Sequence, residues 1–194
     1  MTPGKGLLAE VARAWTAEAA TLRVIGATAL ALQVDYDRGT KDADVLRATG
    51  LSDEAAAHLL DLAGPGTHLA KRWRLHVELV PNGIPFLPHG PVWREVSLPD
   101  ASPIITVLAL DVVDVVVSKL KRFHANDRAD VGAMIAAGHV EHPRFVERFR
   151  SAVDEFIYDA RAEELPRYIS NFHEVERDVF GVEESEIDLP AWVE

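Results

Sequence analysis

The chain has 194 residues, 48% hydrophobic and 26% charged, enough to bury one good core or one core with a small helical appendage. Its formal charge of −11 opposes nonspecific attraction to nucleic acid or anionic membrane, and the absence of cysteine excludes disulfides, thiolate zinc sites and cysteine nucleophiles. Glu10 and Arg13 interrupt the apolar amino-terminal stretch and no uncharged apolar run of about 18 residues occurs, so neither signal peptide nor membrane span is expected, and a reducing cytoplasm is the expected location.

Alanine-rich residues 7–20, apolar at helical spacing, read as an opening helix. Leu22–Ile25 is a short buried strand that stops at Gly26, and residues 27–34 form a short helix. A polar connection over residues 35–40 leads to a second strand, Asp42–Leu46. Ser52 starts a helix over 53–63, and Gly64-Pro65-Gly66 stops it. Trp73, Leu75, Val77 and Leu79 then alternate with Arg74, His76 and Glu78, which predicts a strand with one apolar and one polar face. Proline and glycine interrupt residues 81–91, and Val92–Leu98 and Ile104–Leu108 offer two further strands.

From Asp111 the pattern turns helical: one helix to about Phe123, another from Asn126 or Asp127 to Gly138, then two more over about 144–160 and 164–180, and an acidic tail from Val182. The expected class is α+β, a mixed sheet flanked by helices over residues 1–109, with a helical region over 110–194 packed on it. The one dense basic segment, Lys119, Lys121, Arg122, His124 and Arg128, reads as a solvated helix face.

Asp42 and Asp44 flank Ala43 in a predicted strand, so both carboxylates point to one face while Ala43 and Val45 pack behind them. Glu78 lies on the polar face of a later strand, where pairing in the same sheet could bring it opposite them. Such a group of like charges calls for a counter-ion. Oxygen-preferring Mg2+ or Mn2+ suits three carboxylates, and a pair of such ions about 4 Å apart serves phosphoryl transfer. Asp42, Asp44 and Glu78 are therefore the expected metal ligands and catalytic acids.

Residues 24–46, with Gly26, Ala29, Arg38, Thr40, Asp42 and Asp44, resemble the nucleotidyltransferase superfamily typified by polymerase beta: strand, glycine turn, short helix, then a strand carrying Asp-x-Asp. Within it the chain looks closest to small bacterial proteins that include the toxins of abortive-infection toxin–antitoxin systems. A second block, Ser118-Lys119 and Asp127-Arg128-Ala129-Asp130, matches the same relatives. The resemblance implies transfer of a nucleoside monophosphate from a nucleoside triphosphate to an acceptor hydroxyl on RNA (tRNA among the candidates), protein or a small molecule. It also implies a possible cognate antitoxin as partner. It assigns Lys119, Arg38, Thr40 and the Gly26-Ala27-Thr28 turn to the nucleotide, and Asp127 or Asp130 to orienting the acceptor or acting as base.

At that turn the superfamily has Gly-Gly or Gly-Ser, where main-chain N–H groups at a helix start cradle phosphate. Ala27 keeps the donor and supplies no hydroxyl, which motivates an alternative: a noncatalytic binding module on the same fold. The eight histidines show no metal-ligand spacing. His76 reads as a packing residue or a support beside the acids, and Trp73, Trp93 and Phe86 as packing aromatics.

Overall fold

The computed structural model describes residues 2–36, 38–48 and 50–190; Asp37 of the polar connection and residues 191–194 of the acidic tail lie outside the described residues. The chain divides into two compact units. The first holds the residues up to Ile84 together with Trp93–Asp111, and the second holds Pro85–Val92 and the residues from Val112 onward.

In the first unit, helix α1 (Pro3–Ala14) begins four residues earlier than its alanine content predicts, because Thr2 caps it through a bond from the Lys5 main-chain N–H and Pro3 suits the first helical position. It also stops sooner. The Trp15 indole donates to the Glu18 carbonyl at 2.9 Å, and Ala20 is drawn into strand β1 (Ala20–Val24), so sheet pairing overrides helix propensity in residues 17–20. Helix α2 (Gly26–Gln33) follows at once, then strand β2 (Asp42–Arg47). Helix α3 (Asp53–Ala63) carries the Ser52 cap, whose hydroxyl accepts from the Ala55 N–H at 3.1 Å.

A helix stands where the sequence predicts the start of a strand. Thr67 caps a short α4 (His68–Trp73), Arg74 turns the chain in the left-handed region at φ 53°, and strand β3 runs over His76–Pro81. Trp73 thus closes a helix, its ring lying where a Cβ on Gly6 of α1 would stand, and only glycine at position 6 lets the two helices approach. Strand β4 is short (Trp93–Glu95) and β5 spans Ile105–Leu110.

These strands form one mixed sheet in the order β3-β2-β1-β5-β4. Strand β1 runs antiparallel to β2 and parallel to β5, β2 is parallel to β3, and β4 is antiparallel to β5. Leu22, Val24, Ala43, Val45, Val77, Val107 and Ala109 are buried on one face, where α2 lies against β2 and β5, and α3 and α4 reach β3. The opposite face carries Thr21, Arg23, Asp42, Asp44, His76 and Glu78, as the registers Arg23↔Leu46, Asp42↔His76 and Asp44↔Glu78 require.

The second unit is helical: α5 (Val112–Lys119), α6 (Ala125–Ala136), α7 (His142–Phe156), a 3₁₀ turn at Ala162–Glu164, α8 (Leu165–Val175) and a π turn at Glu176–Phe180. Helix α5 ends before Phe123, which sits in the left-handed region at φ 49°. Helix α6 starts slightly ahead of the expected Asn126 because the Asp127 carboxylate accepts from the His124 main-chain N–H at 3.3 Å. The core is aromatic: Phe149 stacks on Phe172 with centroids 4.2 Å apart, and Phe86, from the Pro85–Val92 segment, meets Phe149, Phe156 and Tyr168 edge-on. That segment is also tied by ions. Arg148 grips Asp114 through two bonds of 2.6 and 2.8 Å and donates to the Gly90 carbonyl, while Asp114 accepts from the Val92 N–H.

At the far end the buried Glu176 accepts from the Ser185 N–H at 2.8 Å, the Ser185 hydroxyl at 2.6 Å and the His142 ring at 2.8 Å, which holds the tail back against the helices. Burial alone would raise the Glu176 carboxyl, but the Ser185 donors and His142 outweigh it and leave its pKa below the ordinary value.

Candidate functional site

The period of two along β2 places Asp42 and Asp44 on the open face while Ala43 and Val45 are fully buried behind them. Parallel pairing sets Glu78 directly beside Asp44. One ligand oxygen from each of Asp42, Asp44 and Glu78 lies within 4.8 Å of the others, with both aspartates half-buried and the glutamate exposed. Thr40 fixes the first carboxylate, its hydroxyl donating to Asp42 Oδ1 at 2.6 Å. His76 donates through Nε2–H to Glu78 Oε1 at 2.9 Å.

The glycine turn enters the site through its bareness. Gly26 has φ 67°, and a Cβ there would stand 2.8 Å from Asp44 Oδ2, so a side chain would be strained and would push that carboxylate aside. The Ile25 N–H donates to the Asp44 carbonyl at 2.9 Å, which brings the start of α2 to the rim of β2. Thr28 is buried, its hydroxyl donating to the Asp42 main-chain carbonyl at 3.2 Å, so it braces the strand from behind. Ala27, Thr28, Arg38, Thr40 and Tyr36 share the wall of one small pocket at this helix start. The first-turn N–H groups of α2 and the positive end of its dipole favour an anion there.

Lys119, Asp127 and Asp130 gather in the second unit. The Lys119 ammonium lies 3.3 Å from Asp127 Oδ1 and 2.7 Å from Asp130 Oδ2, and the three residues are only 6%, 4% and 0% exposed. Of the basic segment containing Lys119, Arg122 reaches Asp127 at 3.7 Å and Arg128 makes a two-pronged pair with Glu174, so it is only partly a solvated face. The spacing holds a signal for this: acids at i and i+3 of a helix share a face and can close on one cation.

A family model described as "Nucleotidyltransferase of unknown function" (DUF6036) matches residues 7–179. The chain belongs to that family. The match takes in Asp42, Asp44 and Glu78 as well as Lys119, Asp127 and Asp130. No curated protein and no solved structure matches the chain significantly. Among the described residues no helix is long and apolar enough to cross a membrane.

The donor set of this nucleotidyltransferase-family chain fits a hard divalent cation. Oxygens bound about 2.1 Å from one magnesium ion stand up to about 4.2 Å apart. The three carboxylates, each with one oxygen within 4.8 Å of the others, stand close to that spacing. The close approach of Gly26 to Asp44, which leaves that oxygen clear of any Cβ, is the feature that sequence spacing alone does not reveal.

Proposed function

We propose that the chain is a Mg2+- or Mn2+-dependent nucleotidyltransferase that moves a nucleoside monophosphate from a nucleoside triphosphate to an acceptor hydroxyl on RNA, protein or a small molecule, releasing pyrophosphate. The observation that carries this reading is the convergence of Asp42, Asp44 and Glu78 beside the start of α2 in a chain of this family. Divalent ions held by the three carboxylates would neutralise triphosphate charge and acidify the acceptor hydroxyl. Asp42, oriented by Thr40, and Asp44, beside bare Gly26, form the central pair, and the more exposed Glu78 stands on the acceptor side. The N–H groups of the Ala27 turn and the Arg38 guanidinium receive phosphate oxygens. The acceptor oxygen bonds to the α-phosphorus as the bond to pyrophosphate breaks, and the hydroxyl proton leaves to solvent or a carboxylate. Lys119, which the resemblance assigns to the triphosphate, is engaged within its own unit by two buried acids, Asp127 and Asp130. A cytoplasmic setting agrees with the cysteine-free composition.

The test is incubation of the full chain with each labelled triphosphate, Mg2+ or Mn2+, and extract RNA, protein and small molecules. Metal-dependent labelling that vanishes in Asp42→Ala and Asp44→Ala is the expected result.

One observation favours a second reading, a noncatalytic binding module such as one member of a toxin–antitoxin pair. Ala27 has no hydroxyl and that of Thr28 is spent on the Asp42 carbonyl, so the phosphate turn offers main-chain donors alone. Triphosphate binding without transfer to any acceptor would select it.

A further inference from the structure

Resting on the metal-dependent reading above, we propose that His76 is a positioning residue: its imidazole holds Glu78 in the geometry that lets this carboxylate join Asp42 and Asp44 around a divalent ion. Asp42 pairs with His76 across β2 and β3, and Asp44 pairs with Glu78, so four side chains form a two-by-two patch on one face of the sheet. The two aspartates have short side chains, and Asp42 is also restrained by the Thr40 hydroxyl. Glu78 has neither advantage. It is longer, its side chain is 52% exposed, and it stands on β3, an edge strand of the sheet.

An unrestrained glutamate at such an edge spreads over many rotamers, most of them directed into water, and ordering it when a cation arrives costs entropy. His76 removes much of that freedom beforehand. Its Nε2–H donates to Glu78 Oε1 at 2.9 Å, and among the described residues it is the one side chain hydrogen-bonded to Glu78. The second carboxylate oxygen stays available. The backbone of His76 is held by its main-chain N–H, which donates to the Lys41 carbonyl at 3.1 Å, and its ring is only 27% exposed. The imidazole acts through Glu78 rather than as a fourth ligand, because the atoms within 4.8 Å of one another belong to the three carboxylates. Hydrogen-bond partners of ligating side chains commonly change metal affinity by about 10–100-fold when removed.

The experiment titrates the metal-free full chain with Mn2+ alone, reading free Mn2+ by electron paramagnetic resonance, so that it needs neither nucleotide nor turnover. His76→Ala is expected to weaken Mn2+ binding about tenfold, and His76→Gln, which restores an N–H donor, to return it to within about threefold of wild type. His76→Phe keeps a ring without the donor and is expected to behave as His76→Ala does, which preserves the test if the smaller residue unsettles the edge strand. Placed on Glu78→Ala, His76→Ala should add nothing, since its effect runs through that carboxylate. Wild-type binding in both His76→Ala and His76→Phe, or a loss that persists undiminished on Glu78→Ala, overturns the proposal. Asp42→Asn and Asp44→Asn separate this failure from the larger one: if they too bind Mn2+ as wild type does, the metal-site reading itself falls.

Discussion

In the first unit Asp42, Asp44 and Glu78 stand at the rim of a sheet, partly in water, whereas in the second Asp127 and Asp130 close on the ammonium of Lys119 where water scarcely reaches. Both groups are written into the sequence in the same economical way. Asp-x-Asp on a strand and Asp-x-x-Asp on a helix each put two acids on one face. The difference lies in where the compensating charge comes from. The buried pair has a lysine supplied by the neighbouring helix, so its electrostatic need is met within the fold and its loss should be felt as instability. In the metal-dependent reading the rim trio instead takes a cation from solution, so its loss should be felt as lost binding and chemistry.

The largest expected effect divides the two groups directly. Asp44→Ala should lower metal-dependent transfer by on the order of 10^3-fold while leaving the unfolding free energy within about 1 kcal/mol of wild type, as read by labelled-nucleotide transfer and urea titration. Lys119→Met should do the reverse. It removes the ammonium that both buried carboxylates share and should cost about 3–5 kcal/mol in the same urea titration. A Lys119→Met protein as stable as wild type but defective in triphosphate binding would move Lys119 into the nucleotide site and erase the contrast.

Gly26→Ala probes the boundary between fold and site. Its positive φ should cost about 1–3 kcal/mol, and the added methyl, meeting Asp44 Oδ2, should depress Mn2+ affinity as well, measurable in one melt and one titration. Loss of stability without loss of Mn2+ affinity would detach the turn from the acids.

The smallest effect concerns pH. Because the folded-state pKa of Glu176 lies below its ordinary 4.5, its contribution is present above about pH 4.5 and is lost as pH falls through the depressed value. Glu176→Gln should therefore melt lower than wild type at neutral pH, with the gap narrowing as pH falls below 4.5. A gap that stays constant with pH would assign the tail's attachment to packing rather than to this carboxylate.

Signals that act within a few residues are legible in the amino-acid order itself. Ser52 and Gly64-Pro65-Gly66 bound α3 where expected, and the alternation around Ala43 sets Asp42 and Asp44 on one face. Where distant partners decide, local pattern misleads. Residues 17–20 have helix-forming composition, yet Ala20 pairs with Ile105 across the sheet. Trp73 fits a strand alternation, yet its ring is needed against α1, so the chain stays helical until Arg74. The place of Glu78 depends on the parallel register of β3 with β2, which no local pattern encodes. The short distances from Lys119 to its two acids depend likewise on how α5 meets α6.

The Pro85–Val92 segment gives the chain an unusual order of assembly. Phe86 belongs to the aromatic core of the second unit, but its partners Phe149, Phe156 and Tyr168 lie far downstream, and the strands β4 and β5 that complete the first unit come between. On a ribosome, the first unit can close its sheet while Phe86 is still waiting for helices not yet synthesised. A gene cut near residue 110 would accordingly release a fragment with a large unsatisfied aromatic on its surface, prone to self-association, and leave the remaining helices with a hole where Phe86 belongs.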